Sequence, residues 1–183
     1  MEIVIDTETT GLYPGWDELL QVAIIDGENR ILFDQLIKPS RRKKWPDAQR
    51  VHGISPITVR SCGTFREYRN ELQEIFDAAD VIIGYNIEFD LDFLAEQGIL
   101  IPDCRHVDVM LDFAPVYGEW SEYYGGYKYQ KLTTCAAYYG YQWPGNAHNA
   151  LEDCRATLYC YRAMQRGTDQ KAGLTYIEPT KQR

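Results

Sequence analysis

The apolar residues of this chain fall into short continuous runs separated by turn residues and by longer, helix-spaced stripes. Short continuous apolar runs are typical of strands covered on both faces of a sheet. Residues 3–5 and 81–83 are such runs, and residues 19–25, 30–37 and 105–107 are predicted as three more strands. Residues 26–29, Asp-Gly-Glu-Asn, have turn chemistry, so the second and third strands should form a hairpin.

Apolar residues at three- and four-residue steps predict four helices. Their predicted spans are residues 65–79, 87–97, 131–139 and 149–165. Thr64 and Glu67 have capping-box spacing at the first of them, and Gly98 stops the second. A basic loop should cover residues 38–46. Three strands followed by alternating helices and strands predict an α/β fold with a mixed sheet, in which sites lie beyond the carboxyl ends of central strands.

The length of 183 residues fits one domain, over residues 1–166, followed by a polar tail over 167–183 that we expect to be flexible. Composition is ordinary for a globular protein, with 45% hydrophobic and 25% charged residues. No apolar run approaches the roughly 20 residues of a membrane span, and no basic region precedes the first apolar run as in a signal peptide. The five cysteines form no CxxC pair, which favours reduced thiols and a cytoplasmic location.

The net charge of −8 argues against a broad phosphate-binding face. Carboxylates of an active site contribute to that total, however, and bound cations would offset them. The only dense basic cluster is the run from Arg41 to Lys44, which we interpret as a solvated loop.

Acidic residues follow the first and fourth predicted strands. Asp6 and Glu8 are two positions apart, so in extended chain both point to the same side. Two adjacent carboxylates repel each other unless a cation lies between them, and Mg²⁺ or Mn²⁺ prefers such oxygen ligands. Asp90 lies in the first turn of the helix that follows residues 81–83, whereas Glu88 and Asp92 are interpreted as solvated.

A third group of residues opens the last long helix. Asn149 and Glu152 have the spacing of an N-cap and its reciprocal acid, which would hold Asp153 in the first turn. His148 precedes the cap on the approach loop, where an imidazole could act as a general base. Each residue has an ordinary structural explanation when it is considered alone. Their joint order along the chain is an improbable coincidence.

This order resembles that of the DnaQ-like, or DEDDh, 3′–5′ exonucleases of the ribonuclease-H-like superfamily. The matching segments are residues 5–12, 51–55, 86–90 and 148–153. The resemblance implies a ribonuclease-H-like mixed five-stranded sheet flanked by helices. It also implies a metal-dependent 3′–5′ exonuclease that hydrolyses single-stranded nucleic acid with a free 3′ end, DNA favoured, to 5′-nucleoside monophosphates.

The resemblance further implies a role for each matching residue. Two Mg²⁺ or Mn²⁺ ions would be held by Asp6, Glu8, Asp90 and Asp153, with His148 as general base. Residues implied to contact the substrate are Thr7, Thr9, Thr10, Gly11, Leu12, His52, Gly53, Asn86 and Phe89. For His52, stabilisation of a turn is an equal alternative, and Asp108 is interpreted as a helix-start or support residue.

The sequence departs from the family at two places, which bear on substrate preference rather than on chemistry. Tyr85 stands where many relatives carry histidine, and residues 117–143 are rich in tyrosine. Tyr138 and Tyr139 fit a helix core, whereas residues 123–129 fit a wall beside the substrate.

Four alternatives remain open from the sequence. The chain could be a proofreading subunit with a DNA polymerase as partner, or an RNA-trimming enzyme similar to ribonuclease T. It could also be a catalytically silent nucleic-acid-binding module, or an endonuclease or integrase of the same superfamily. No membrane partner is expected, and the oligomeric state is open.

Overall fold

A computed structural model describes residues 1–123, 125–144 and 149–167. The predicted general base His148 and the predicted flexible tail beyond Gly167 lie outside these residues. Within the described part of the chain, no helix is long and apolar enough to cross a membrane.

Five strands form one mixed sheet, as predicted. They are β1 (Glu2–Thr9), β2 (Leu19–Asp26), β3 (Ile31–Leu36), β4 (Val81–Gly84) and β5 (Arg105–Asp108). Their spatial order is β3-β2-β1-β4-β5, so β1 lies at the centre. β1 pairs antiparallel with β2 and parallel with β4, which brings the carboxyl ends of β1 and β4 to the same edge.

Both faces of the sheet are covered, which explains the continuous apolar runs of its central strands. Ile3 and Ile5 of β1 pack into one core with the helices α2 (Phe65–Asp77) and α3 (Ile87–Glu96). Val4, between them, packs into a second core on the opposite face. That core contains α4 (Val109–Tyr117), α5 (Leu132–Tyr139) and α6 (Ala150–Gln165).

Two helices and one small hairpin of two strands were not predicted. A short helix, α1 (Pro46–His52), begins where we expected only loop, and Gly53 ends it at φ 76°. The helix α4 begins directly after Asp108, which we interpreted as a helix-start or support residue. The Asp108 side chain accepts hydrogen bonds from Met110 N and Leu111 N at the N-terminus of α4. A small hairpin then joins β6 (Trp120–Ser121) to β7 (Gly126–Tyr127).

The capping predictions had mixed outcomes. The Thr64–Glu67 box is present, and Thr64 N donates to Glu67 Oε1 over 2.7 Å. Asn149 caps α6 by accepting from Leu151 N over 3.2 Å. The predicted reciprocal role of Glu152 is wrong, because its carboxylate pairs with Arg155 one turn further along the helix instead.

Candidate active site

The alternation of side chains along β1 divides its polar residues between the two faces of the sheet. β1 extends through Thr9, so Asp6 and Glu8 lie within the strand and not after it as predicted. They share the face of Val4, which is covered by α6, whereas Thr7 shares the face of Ile3 and Ile5, which is covered by α3. Each face therefore presents polar groups of β1 to the N-terminal turn of a different helix.

On the α6 side, three carboxylates converge. One oxygen each of Asp6, Glu8 and Asp153 lies within 4.8 Å of the others, a spacing that could hold a metal ion. Asp153 is in the first turn of α6 and is buried, whereas Asp6 and Glu8 are partly exposed. The set is made only of carboxylates, which fits a hard divalent cation such as Mg²⁺ or Mn²⁺.

On the α3 side, Asp90 is buried and hydrogen-bonded to β1. Thr7 Oγ1 donates to Asp90 Oδ1 over 2.6 Å, and the two side chains are 7% and 3% exposed. Asp90 is not one of the three residues whose carboxylate oxygens lie within 4.8 Å of one another. It is near enough, however, for its charge to raise the pKa of both Asp6 and Glu8. The four predicted ligands, Asp6, Glu8, Asp90 and Asp153, therefore form one electrostatic unit, which we call the acid group.

Burial and mutual repulsion make these carboxyls hard to ionise. Burial, followed by the charges of Asp90, Asp153 and Glu8, raises the pKa of Asp6 well above its ordinary value. Burial, followed by Asp153 and Asp90, raises the pKa of Glu8 from 4.5 to about 8. Burial also raises the pKa of Asp90 to about 7, against the lowering effect of the Thr7 hydrogen bond. A bound cation would lower these pKa values, because it favours the ionised carboxylates.

A buried side chain of the sheet contacts the N-terminus of α6. Gln21 of β2 is 4% exposed, and its Oε1 accepts a long hydrogen bond of 3.4 Å from Ala150 N. Its Nε2 donates to Asp34 Oδ1 over 2.8 Å. Asp153 lies three residues after Ala150, so this link to β2 and β3 helps to set the position of the carboxylate. No feature of the sequence marked Gln21 for this role.

A cavity of about 580 Å³ opens beside the three carboxylates. Its wall includes most of the residues that we expected to contact substrate, namely Thr7, Thr9, Thr10, Gly11, Leu12, His52 and Phe89. Glu8 lines the same cavity, so one carboxylate of the acid group faces it directly. A second, adjoining cavity of about 600 Å³ is lined by Asp153, and Val51 borders both.

Hydrogen bonds hold the chain after β1 in the shape that forms the cavity wall. Thr9 Oγ1 donates to Gly11 O over 2.6 Å, and Thr10 Oγ1 accepts from Glu18 N over 2.9 Å. Asp17 lies under Gly11 so closely that an added Cβ would be 2.4 Å from its Oδ2. Any larger residue at position 11 would therefore have to displace the Asp17 carboxylate. Leu12 is 72% exposed at the mouth of the cavity, although a leucine buried in a core would be more usual.

His52 has a structural role and also faces the cavity. Its Nδ1 accepts from Ile54 N over 3.0 Å, so in the neutral ring the proton is on Nε2, which lies 3.2 Å from Thr9 O. The imidazole thereby ties α1 to the end of β1. The position of His52 is thus compatible both with stabilisation of the turn and with contact to the substrate.

Gly53 and Asn86 line neither cavity, and their main contacts are made by the backbone. Asn86 precedes α3 at φ 64°, and its N–H donates to Asp108 Oδ1 over 3.1 Å. The Asp108 carboxylate accepts from Ile87 N as well, so it supports the start of α3 in addition to capping α4. Contact of Gly53 or Asn86 with substrate stays a prediction.

Comparison with known proteins shows the family of the chain. Residues 3–161 match the Exonuclease family, RNase_T. The chain is 32% identical over 177 residues to "Uncharacterized exonuclease CP81" of Escherichia phage 186, covering 90% of this chain and 88% of that one. It is 27% identical over 182 residues to the DNA polymerase III subunit epsilon of Escherichia coli, covering 93% and 74% of the two chains.

The fold is also that of a solved exonuclease. Exonuclease X, solved in complex with 5′ overhanging duplex DNA, superposes with a TM-score of 0.69 at 20% identity, covering 92% of this chain and 93% of that one. The family match spans β1 to α6 and includes every described residue of the acid group. The chain therefore belongs to the Exonuclease family of DnaQ-like, ribonuclease-H-like nucleases.

Proposed function

We propose that this chain is a metal-dependent 3′–5′ exonuclease that acts on single-stranded nucleic acid, DNA favoured. The observation that carries the proposal is the group of Asp6, Glu8 and Asp153, backed by Asp90, between two adjoining cavities. Carboxyl groups whose pKa values are raised by burial and by one another would be a destabilising arrangement without a function.

The carboxylates would hold two divalent cations, Mg²⁺ or Mn²⁺. Asp6, Glu8 and Asp153 would hold one ion, and Asp90 would help Asp6 to hold the other. Two such ions supply charge stabilisation for the attacking and leaving oxygens of a phosphodiester. Thr7 keeps Asp90 oriented and favours its ionised form through the 2.6 Å hydrogen bond.

The first cavity would receive the terminal nucleotide. Its wall of Thr9 to Leu12 comes directly after Glu8 on the chain, so a nucleotide there places its phosphate beside the acid group. His148, which precedes Asn149 and Asp153 in the sequence, would accept a proton from the attacking water. The product would be a 5′-nucleoside monophosphate.

The test is digestion of single-stranded DNA and RNA oligonucleotides labelled at either end, with Mg²⁺, with Mn²⁺ and with EDTA. We expect a metal-dependent ladder that shortens from the 3′ end, and faster digestion of DNA. Shortening from the 5′ end would overturn the polarity. Cleavage of a circular single strand would indicate an endonuclease instead.

A further inference from the structure

The hairpin after α4 carries aromatic side chains that the fold does not bury. Trp120 is 51% exposed, Tyr127 45% and Tyr129 65%. The rings of Trp120 and Tyr127 pack edge to face across the two strands, with centroids 5.3 Å apart and planes at 88°. Exposed aromatic surface of this kind is costly in water and is typical of a binding site. We call Trp120, Tyr127 and Tyr129 the aromatic hairpin.

Polar contacts fix the base of the aromatic hairpin. Lys128 Nζ pairs with Glu119 Oε1 over 2.7 Å, and Gln130 Nε2 donates to Glu119 Oε2 over 3.1 Å. Lys128 N also donates to Glu119 O over 2.8 Å. From the sheet, Tyr85 donates its hydroxyl proton to Gln130 O over 2.8 Å. Tyr85, which directly follows β4, thus connects the hairpin to the sheet.

The aromatic hairpin meets the second cavity through Tyr129. Tyr129 lines the second cavity together with Lys131 and Asp153. The first cavity, on the Glu8 side, is the proposed pocket for the terminal nucleotide. The second cavity therefore offers a path past Tyr129 for a strand whose terminal phosphodiester lies on the acid group.

We propose that the aromatic hairpin is a stacking site for the bases on the 5′ side of the scissile phosphate of a single strand. This inference rests on the proposed function. The charged residues beside the rings, Glu119 and Lys128, neutralise each other, so the surface suits base faces better than phosphates. Aromatic stacking of this kind tolerates any base, and a base in a duplex could not offer its face.

The test uses a dT oligonucleotide in which a single abasic residue replaces the second, third, fourth or fifth nucleotide from the 3′ end. The rate of release of the terminal nucleotide is measured as kcat/KM. For wild type we expect a decrease of about 5- to 150-fold when the abasic residue lies at the stacked position. Trp120→Ala and Tyr129→Ala should slow the intact oligonucleotide by a similar factor and should no longer respond to the abasic residue.

Two further variants distinguish stacking from damage to the fold. Trp120→Phe keeps an aromatic face and should retain most of the rate and of the abasic response. Leu100→Ala removes an apolar side chain that is 74% exposed and lines neither cavity, so it should behave as wild type.

The outcomes separate this inference from the proposed function. If wild type shortens the strand but responds to no abasic position, or if both alanine variants keep full rates, the stacking site is refuted and a protein partner becomes the better occupant. If wild type shortens no strand, the proposed function fails. The stacking site is then tested by the affinity of the same oligonucleotides in Ca²⁺, which is measured by fluorescence anisotropy. Intact and abasic oligonucleotides are compared for wild type and for the same variants.

Discussion

Replacing Thr7 with valine removes one hydroxyl from the floor of the acid group and leaves a side chain of similar shape. The lost hydrogen bond to Asp90 is 2.6 Å long and joins two side chains that are 7% and 3% exposed. A hydrogen bond to a charged group contributes about 1.5–3 kcal/mol, and water cannot readily replace this one. Because it favours the ionised form of Asp90, its loss should raise the pKa of that carboxyl above the present value of about 7.

The consequence should be weaker cation binding. The cost of about 1.5–3 kcal/mol corresponds to roughly 10- to 150-fold in affinity at pH 7. The assay is calorimetric titration of Mn²⁺ into the protein without substrate, together with the Mg²⁺ dependence of turnover. Part of the loss should be recovered at higher pH, since the Asp90 proton competes with the metal.

Thr7→Ser is the matched control, because it keeps the donor and loses only a methyl group. It should bind the cation within a few-fold of wild type. Thermal unfolding in EDTA shows whether either variant has damaged the fold. If Thr7→Val binds Mn²⁺ as tightly as wild type does, then Thr7 does not support Asp90 as a ligand, and the reasoning fails.

Three further predictions concern the acid group and the cavity wall. Asp153→Asn should lower turnover by more than about 100-fold while the protein stays folded, and a near-normal rate of oligonucleotide digestion would contradict its role as a ligand. In the metal-free protein, the pKa values of Glu8 and Asp90 are raised on folding, from 4.5 to about 8 and from 3.8 to about 7. The contribution of these two carboxyls to stability is therefore complete below about pH 4 and is lost as the pH rises to 8. The free energy of unfolding in EDTA should fall across this pH window, and Mg²⁺ should restore it. A free energy of unfolding that rises with pH in this window would show that the pKa shifts are wrong. Gly11→Ala places a Cβ 2.4 Å from a carboxylate oxygen and should lower the free energy of unfolding in urea by about 1–3 kcal/mol. Gly126→Ala is the control and should lower it less, because no atom lies within 4 Å of the added Cβ. Equal losses in the two variants would show that the cavity wall is not tightly packed.

The central part of the fold could be predicted because its pattern is local. The runs at residues 3–5 and 19–25 are apolar on both faces, and the structure covers both faces of β1 and β2. The alternation of side chains also placed Asp6 and Glu8 together, since this needs only an extended backbone. Asp90 and Asp153 were singled out by their places in the first turns of two helices, and the family resemblance then joined them to Asp6 and Glu8 as ligands.

The missed elements have weak local signals. The helix α1 buries none of its residues and begins at Pro46, so it shows no apolar stripe and resembles a loop. The helix α4 contains Pro115, which ordinarily argues against a helix. The strands β6 and β7 have two residues each, too few for a pattern of alternation.

The contacts that support the site could not be predicted from the sequence, because they join residues far apart in the chain. The hydrogen bond between Thr7 and Asp90 spans 83 positions, and that between Gln21 and Ala150 spans 129. Each depends on which helix covers which face of β1 and β2. The sequence specifies that arrangement only through the packing of the whole domain.

The central claim is that the acid group binds the cations that hydrolyse the 3′-terminal phosphodiester. It is tested most directly by identifying the first product released from a single-stranded DNA oligonucleotide by wild type and by Asp6→Ala, each with Mg²⁺ and with EDTA. We predict that wild type with Mg²⁺ releases the 3′-terminal residue as a 5′-monophosphate and that the other three reactions release nothing. Release by Asp6→Ala at the wild-type rate, release in EDTA, or a first product from the 5′ end would contradict the account.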